Sequence, residues 1–191
     1  MIKCFDFGCL SSNTYIVSDD GEAMIIDAGV ECRYLSDYVK GNGLTVKYIV
    51  LTHGHYDHIC YVRDYIDEFP EATLVYHREE HRVLSDYEAN LSLWICGRAI
   101  NYNLPHLEVS EGEMLEIGTL SLEIIHTPGH TPGGICLLCR GEGVIFTGDT
   151  RFENGFGRTD FKYGSIEGLE GSLARIEANY KGYKVLAGHN Y

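Results

Sequence analysis

The sequence predicts an α+β protein in which sheets pack face to face and helices lie outside them. Short apolar runs bounded by turn residues recur in both halves of the chain, while helical spacing is confined to a few segments between them. At 191 residues the chain fits one domain, residues 1–191, because two would each approach the lower size limit for a self-sufficient core.

In order along the chain, residues 2–7, 14–18 and 23–26 read as strands, separated by Gly8 and by Asp19-Asp20-Gly21, and form an antiparallel meander. Residues 31–40 place Tyr34, Leu35, Tyr38 and Val39 at helical spacing before Gly41-Asn42-Gly43 ends the turn pattern. Residues 46–51 are a buried-strand run. Residues 59–69 look helical and stop at Pro70, residues 73–76 return to a strand, and residues 78–100 read as helices. Strands follow at 114–117, 120–126, 134–139 and 144–147, then a capped helix at 165–179 and a last strand at 184–187.

The 28 acidic and 15 basic residues give a formal charge of −13, which repels polyanions and argues against nucleic acid as substrate. No apolar run reaches the roughly 18 residues of a membrane span, and residues 1–10 lack a signal-peptide core, so the expected location is the cytoplasm, away from membranes. Seven cysteines in no framework spacing fit reduced thiols.

The chemistry concentrates in Thr52-His53-Gly54-His55-Tyr56-Asp57-His58, directly after a buried strand. Residues two apart on extended backbone point the same way roughly 6 to 7 Å apart, so His53, His55 and Asp57 can face one spot, and His58 enters from the start of the next helix. Imidazole and carboxylate suit zinc, and also iron or manganese. Four donors in one segment exceed the needs of a single open site and raise a second ion. His130, Asp149 and His189 each stand behind a glycine at the end of an apolar strand, where sheet ends would deliver them to a shared site.

The HxHxDH segment, the Gly-His at 129–130, the Gly-Asp-Thr at 148–150, the Gly-His at 188–189 and Ile25-Ile26-Asp27-Ala28-Gly29 occur in an order that resembles the metallo-β-lactamase superfamily. The resemblance spans residues 25–189. It implies a four-layer αββα sandwich, with His53, His55 and His130 on one divalent cation, Asp57, His58 and His189 on a second, Asp149 bridging them, and Asp27 bracing the metal loop from behind. It also implies hydrolysis by a hydroxide shared between two metals, zinc foremost, with Asp57 orienting the hydroxide or taking its proton.

Residues 155–161, Gly-Phe-Gly-Arg-Thr-Asp-Phe, look like a segment of the glyoxalase II-related branch, whose members cleave acylglutathione thioesters and which has persulfide dioxygenases as relatives. Arg158 there could hold a substrate carboxylate, or pair with Asp160 or Glu153. The chain ends two residues after His189, without the helical extension of the longer enzymes, which resembles the short glyoxalase II-like hydrolases and sets His189 where fraying could weaken the second metal site. The expected substrate is a small acyl or thioester compound such as S-lactoylglutathione. The rivals are a persulfide dioxygenase with one iron on His53, His130 and Asp149, a lactone, ester or β-lactam hydrolase, and a non-catalytic binding module. Two further patterns are weaker: His77-Arg78-Glu79-Glu80-His81 matches HxxEH but fits a charged surface helix, and the sulfurs of Cys136 and Cys139 would point to opposite faces of a strand.

Overall fold

The computed structural model describes residues 1–190. Strands whose alternate side chains are buried on opposite faces build two sheets and three apolar layers. The first sheet runs β1 (Ile2–Phe5), β2 (Thr14–Asp19), β3 (Glu22–Ile26), β4 (Thr45–Val50), β5 (Thr73–His77) and β6 (Leu107–Val109), with neighbours in that order. Strands β1 to β3 form the expected antiparallel meander, and β3 to β6 pair in parallel. The second sheet orders β11 (Lys184–Ala187), β10 (Val144–Gly148), β9 (Ile135–Cys139), β8 (Leu120–His126) and β7 (Met114–Ile117).

Alternation assigns each side chain its layer. Ile16, Ile25, Ile49 and Leu74 face outward and pack with Leu35 and Val39 of α1 (Cys32–Gly41) and Val62 and Tyr65 of α3 (Val62–Glu68). Their neighbours Val17, Met24, Ile26, Val50 and Val75 face inward and meet Leu122, Ile124, Leu137 and Phe146 of the second sheet. Ile125, Cys136, Leu138 and Ile145 form the far face under Ile176 of α6 (Ile166–Tyr180), whose first turn is capped by Ser165 Oγ accepting from the Gly168 N–H at 3.1 Å. The molecule is thus the expected αββα sandwich. Cys136 and Cys139 do lie on opposite faces, and all seven cysteines are free. Among the described residues no helix is long and apolar enough to cross a membrane.

Two helical expectations need correction. The run at 59–69 is broken: α2 (Tyr56–Ile59) ends before α3 begins, with Tyr61 off helical geometry between them. Residues 78–100 contain only a 3-10 turn at Arg78–Glu80, α4 (His81–Leu84) and α5 (Ser92–Cys96), the last bounded by Leu91 and Gly97 in the left-handed region. The apolar residues of this stretch divide between the core, which takes Leu84 and Ile100, and a cleft lined by Leu91, Trp94 and Ile95, so they do not stack on one helical face.

Candidate metal centre

Asp27 follows β3, His53 follows β4, His130 follows β8, Asp149 follows β10 and His189 follows β11. β3 and β4 are parallel, β10 and β11 are parallel, and β8 runs with β10 because each is antiparallel to β9. All these side chains therefore leave from the carboxyl ends of like-directed strands, the end at which loops carry chemistry while sheets hold position. Asp57 departs from expectation in one respect: backbone is extended only as far as His55, and Asp57 and His58 sit on α2. One turn of helix carries both to the same cavity.

His53, His55 and His130 bring one nitrogen each within 4.8 Å of one another, as do the donor atoms of Asp57, His58 and His189. His55 Nδ1 faces His130 Nε2 at 2.9 Å, and His58 Nε2 faces His189 Nε2 at 3.2 Å. Asp149 lies between the groups, with one oxygen 3.6 Å from His130 Nε2 and 3.7 Å from His189 Nε2, and the other 3.4 Å from His58 Nε2. The six other side chains are buried.

Partners on the far side of the rings fix which nitrogen faces the cluster. Asp27 accepts from the Thr52 N–H at 2.7 Å, the Thr52 hydroxyl at 2.8 Å and His58 Nδ1 at 2.9 Å. A carboxylate only accepts, so His58 Nδ1 carries a proton and Nε2 is the nitrogen turned toward the cluster. The Thr52 hydroxyl, having donated to Asp27, accepts from His53 Nδ1 at 3.1 Å, and His130 Nδ1 donates to the Arg158 carbonyl at 2.7 Å. His53 Nε2 and Asp149 Oδ1 are buried with no hydrogen-bond partner among the described residues. Burial and the surrounding imidazoles hold His53 and His55 well below the ordinary histidine range, leaving lone pairs available. Burial also opposes a charge on His58, but Asp57, Asp149 and Asp27 override it and raise its pKa to about 10. Against the upward push of burial, His58 and His189 hold Asp57 well below the usual carboxylate range. The neutral imidazoles of His53 and His55 beside a convergence of carboxylates suit divalent cations, and a cation at the second group would replace the proton that those carboxylates hold on His58 in the metal-free protein.

Close backbone approaches make the arrangement possible. Gly188 packs against Asp149 Oδ1 and His58 so tightly that a Cβ would collide with both, and Gly148 has φ +47° with a Cβ position 2.6 Å from Thr52 Oγ1. His189 is held, not frayed: the Asn13 N–H donates to the Gly188 carbonyl at 2.7 Å, Tyr15 OH donates to the Ala187 carbonyl at 2.7 Å, and Asn13 Nδ2 bonds Ala187 O and Asn190 Oδ1.

One contributor escaped the sequence reading. Glu80 was expected on a surface helix, yet it is fully buried, its Oε1 accepting from the Gly54 N–H at 2.7 Å and its Oε2 from the Gly133 N–H at 2.8 Å. It clamps the 52–58 loop to the loop carrying His130. Burial pushes its carboxyl up to about 7, although both backbone donors pull downward. His77 belongs to β5 and stacks on His126 with ring centroids 3.9 Å apart, so the HxxEH residues do not converge as metal ligands. No local sequence signal sets Glu80 apart from the acidic residue beside it.

The cluster floors an open cleft of about 1000 Å³. Its walls include Leu91, Trp94 and Ile95 from the stretch between β5 and β6, and Phe156 and Phe161 from the 155–161 segment. Tyr65 and Tyr102 lie in the apolar core between the first sheet and its helices. The Arg158 guanidinium lies at the cleft mouth, bound by two hydrogen bonds of 2.9 and 2.6 Å to Asp160 and stacked over Phe161 at 4.5 Å.

Residues 7–189 match the family model described as the metallo-beta-lactamase superfamily. The chain is 34% identical over 167 residues to a probable metallo-hydrolase, YqgX, of Bacillus subtilis, covering 87% of this chain and 78% of that protein. It is 33% identical over 166 residues to the hydroxyacylglutathione hydrolase GloC of Haemophilus influenzae, covering 83% and 74%. Among solved structures, the BLEG-1 B3 metallo-beta-lactamase superposes with a TM-score of 0.87 at 34% identity over 100% of this chain and 92% of that one. TTHA1623 in a di-iron-bound form gives 0.85 at 27% identity over 99% and 92%.

Proposed function

The chain belongs to the metallo-β-lactamase superfamily, and from that premise we propose that it is a dinuclear metal-dependent hydrolase of acyl compounds, thioesters foremost. The observation that carries the proposal is the convergence of seven competent donors in two groups joined by Asp149, of which His55, Asp57, Asp149 and His189 open onto one accessible cleft. His53, His55 and His130 would hold one cation and Asp57, His58 and His189 the other, with Asp149 shared. A pair of divalent cations bound there supplies a nucleophile from water at neutral pH and polarises the carbonyl under attack.

The protein's own part is to position and to exclude. Asp27, Thr52 and the Arg158 carbonyl lock the rings of His58, His53 and His130 in one tautomer each, so their lone pairs need no rearrangement during turnover. Asp57 opens onto the cleft as a carboxylate able to accept a hydrogen bond from the entering water and fix its direction. Phe161, edge-on to His55 at 5.4 Å, dries one side of the reacting centre. Zinc is the cation we propose, in keeping with the nitrogen-rich donor set, and iron is the alternative, as in the di-iron-bound neighbour. GloC is named a hydroxyacylglutathione hydrolase and BLEG-1 a metallo-beta-lactamase, which makes S-lactoylglutathione and a β-lactam the first substrates to try.

The test is metal content of protein purified without added metal, together with thioester and β-lactam hydrolysis and an oxygen electrode. About two metals per chain with thioester turnover is the expected result. One iron per chain with sulfur-dependent oxygen uptake would replace the hydrolase by a persulfide dioxygenase.

A further inference from the structure

We propose that the cleft is shaped for an acyl compound with an apolar chain, and that Trp94 is its main contact. The inference rests on the hydrolase reading for the reacting carbonyl and extends it by naming the chemistry of the group that lies beyond.

The floor of the cleft is polar, but its walls are not. Leu10, Leu91, Trp94, Ile95, Phe156 and Phe161 line it, and three of them stand well out in solvent: Trp94 is 87% exposed, Leu10 60% and Phe156 54%. Scattered exposed apolar residues are ordinary on a protein surface, whereas several around one concave mouth mark a ligand site. The backbone points the same way. Leu10 (φ +50°) and Leu91 (φ +65°) both occupy the left-handed region, which a bulky side chain rarely adopts, and both line this cleft. Where only a turn was needed, glycine or asparagine would serve at lower cost; the leucine side chain itself is what these positions retain.

The charges at the mouth are already matched. Arg158 is paired in two hydrogen bonds with Asp160, and Lys162 reaches Asp86 at 2.8 Å and Glu88 at 3.0 Å. On a chain of net charge −13 this leaves no uncompensated positive rim for a substrate carrying carboxylates, such as a glutathione thioester. An apolar chain loses nothing by entering and removes the exposed indole and phenyl surface from water. The volume of about 1000 Å³ accommodates a chain of eight or so carbons beside the reacting centre.

Trp94 is the chain's single tryptophan, so its fluorescence reports on this wall alone. Two measurements on the metal-loaded protein test the proposal. In the first, S-octyl-N-acetylcysteamine, a thioether that cannot be hydrolysed, shifts Trp94 emission to shorter wavelength, and glutathione does not. In the second, kcat/KM for S-acyl-N-acetylcysteamine thioesters rises about twofold per added methylene, roughly 60-fold over the six methylenes from acetyl to octanoyl. Trp94→Ala cuts the octanoyl-to-acetyl ratio about threefold or more. Unshifted emission with a flat chain-length profile overturns the proposal, as does S-lactoylglutathione outpacing the octanoyl thioester. So does a dimer that Trp94→Ala dissociates, which makes the rim a contact between copies. A shift in emission without turnover of any thioester keeps the apolar ligand and removes the hydrolase reading instead.

Discussion

Replacing Asp27 with asparagine separates its role in the fold from its role at the cluster. Its Oδ1 accepts from the backbone N–H of Thr52, a donor that cannot turn away, so in Asp27→Asn the amide oxygen must take that position and the NH2 must take the place of Oδ2. That NH2 then meets His58 Nδ1, 2.9 Å from Oδ2 in the wild type. Two donors cannot face each other there, and the imidazole shifts its proton to Nε2, the nitrogen that the cluster needs bare. The Thr52 hydroxyl rotates to accept, so the fold loses about one hydrogen bond, roughly 1 kcal/mol. Metal affinity at the Asp57, His58 and His189 group falls about 10- to 100-fold, the usual effect of losing a partner behind a ligating histidine. Asp27→Ala is different: it strands the Thr52 N–H and the His58 Nδ1–H in the interior, each at about 1–3 kcal/mol. A loss of roughly 2–6 kcal/mol is a large part of the stability of a domain of this size. Chelator-competition titration of zinc, paired with urea unfolding of metal-free protein, reads both quantities. If Asp27→Asn protein bound two metals with wild-type affinity, the tautomer argument would be refuted, and Asp27→Ala protein as stable as wild type would refute the burial argument.

The remaining predictions follow from the same contacts. Asp57→Ala and His130→Ala reduce turnover more than about a hundredfold while circular dichroism stays native, since each removes a donor without touching the sheets; wild-type rates in either variant would refute the site. Glu80 has a folded pKa of about 7 against an ordinary 4.5, so the native state holds the proton more tightly. Relative to Glu80→Gln, wild-type metal-free protein has this contribution in full below pH 4.5 and loses it as pH rises through 7, about 3 kcal/mol in all; a pH-independent difference in urea midpoint would count against it. Arg158→Ala changes folding stability by under about 1 kcal/mol, because its pair with Asp160 is exposed, and the carbonyl that holds His130 is backbone and survives the substitution; thermal denaturation checks this.

The parts of the molecule legible in the sequence are those fixed by local periodicity. Ile16, Ile25 and Ile49 face one layer and Val17, Ile26 and Val50 the other, so each strand reads as a short continuous apolar run between turn residues, and those runs place the strands within a residue or two. His53, His130, Asp149 and His189 stood out because each follows such a strand, so strand ends and donors were found together. What stayed hidden depends on contacts distant in sequence. Glu80 is buried by Gly54, 26 residues earlier, and Gly133, 53 residues later, and nothing in His77-Arg78-Glu79-Glu80-His81 distinguishes it from its solvated neighbour Glu79. The apolar residues of 84–100 suggested helices, but Trp94 faces the cleft and Leu91 sits in a left-handed turn, so their spacing records a surface rather than a helical core face.

Chemistry and selectivity are therefore built on different kinds of structure. Every donor is anchored within a few residues of a strand end or on the single turn of α2, and is braced by buried partners such as Asp27, Thr52 and Glu80. The walls that would meet the rest of the substrate come from turns around residues 10 and 152–162 and from Leu91 and the short helix α5, which contribute little to the three apolar layers. A change at Trp94 or Phe156 disturbs neither sheet and leaves the ring orientations alone, so selectivity can drift while the cluster stays intact. The converse does not hold. Enlarging Gly188 or Gly148 by one methyl pushes on Asp149, His58 or Thr52 directly, and the collision is relieved by distorting donor geometry. Gly188→Ala should accordingly weaken metal binding and lower kcat for every acyl chain in equal proportion, whereas Trp94→Ala should act on the long chains. Equal effects of the two substitutions across an acetyl-to-octanoyl series would mean that wall and floor are one mechanical unit after all.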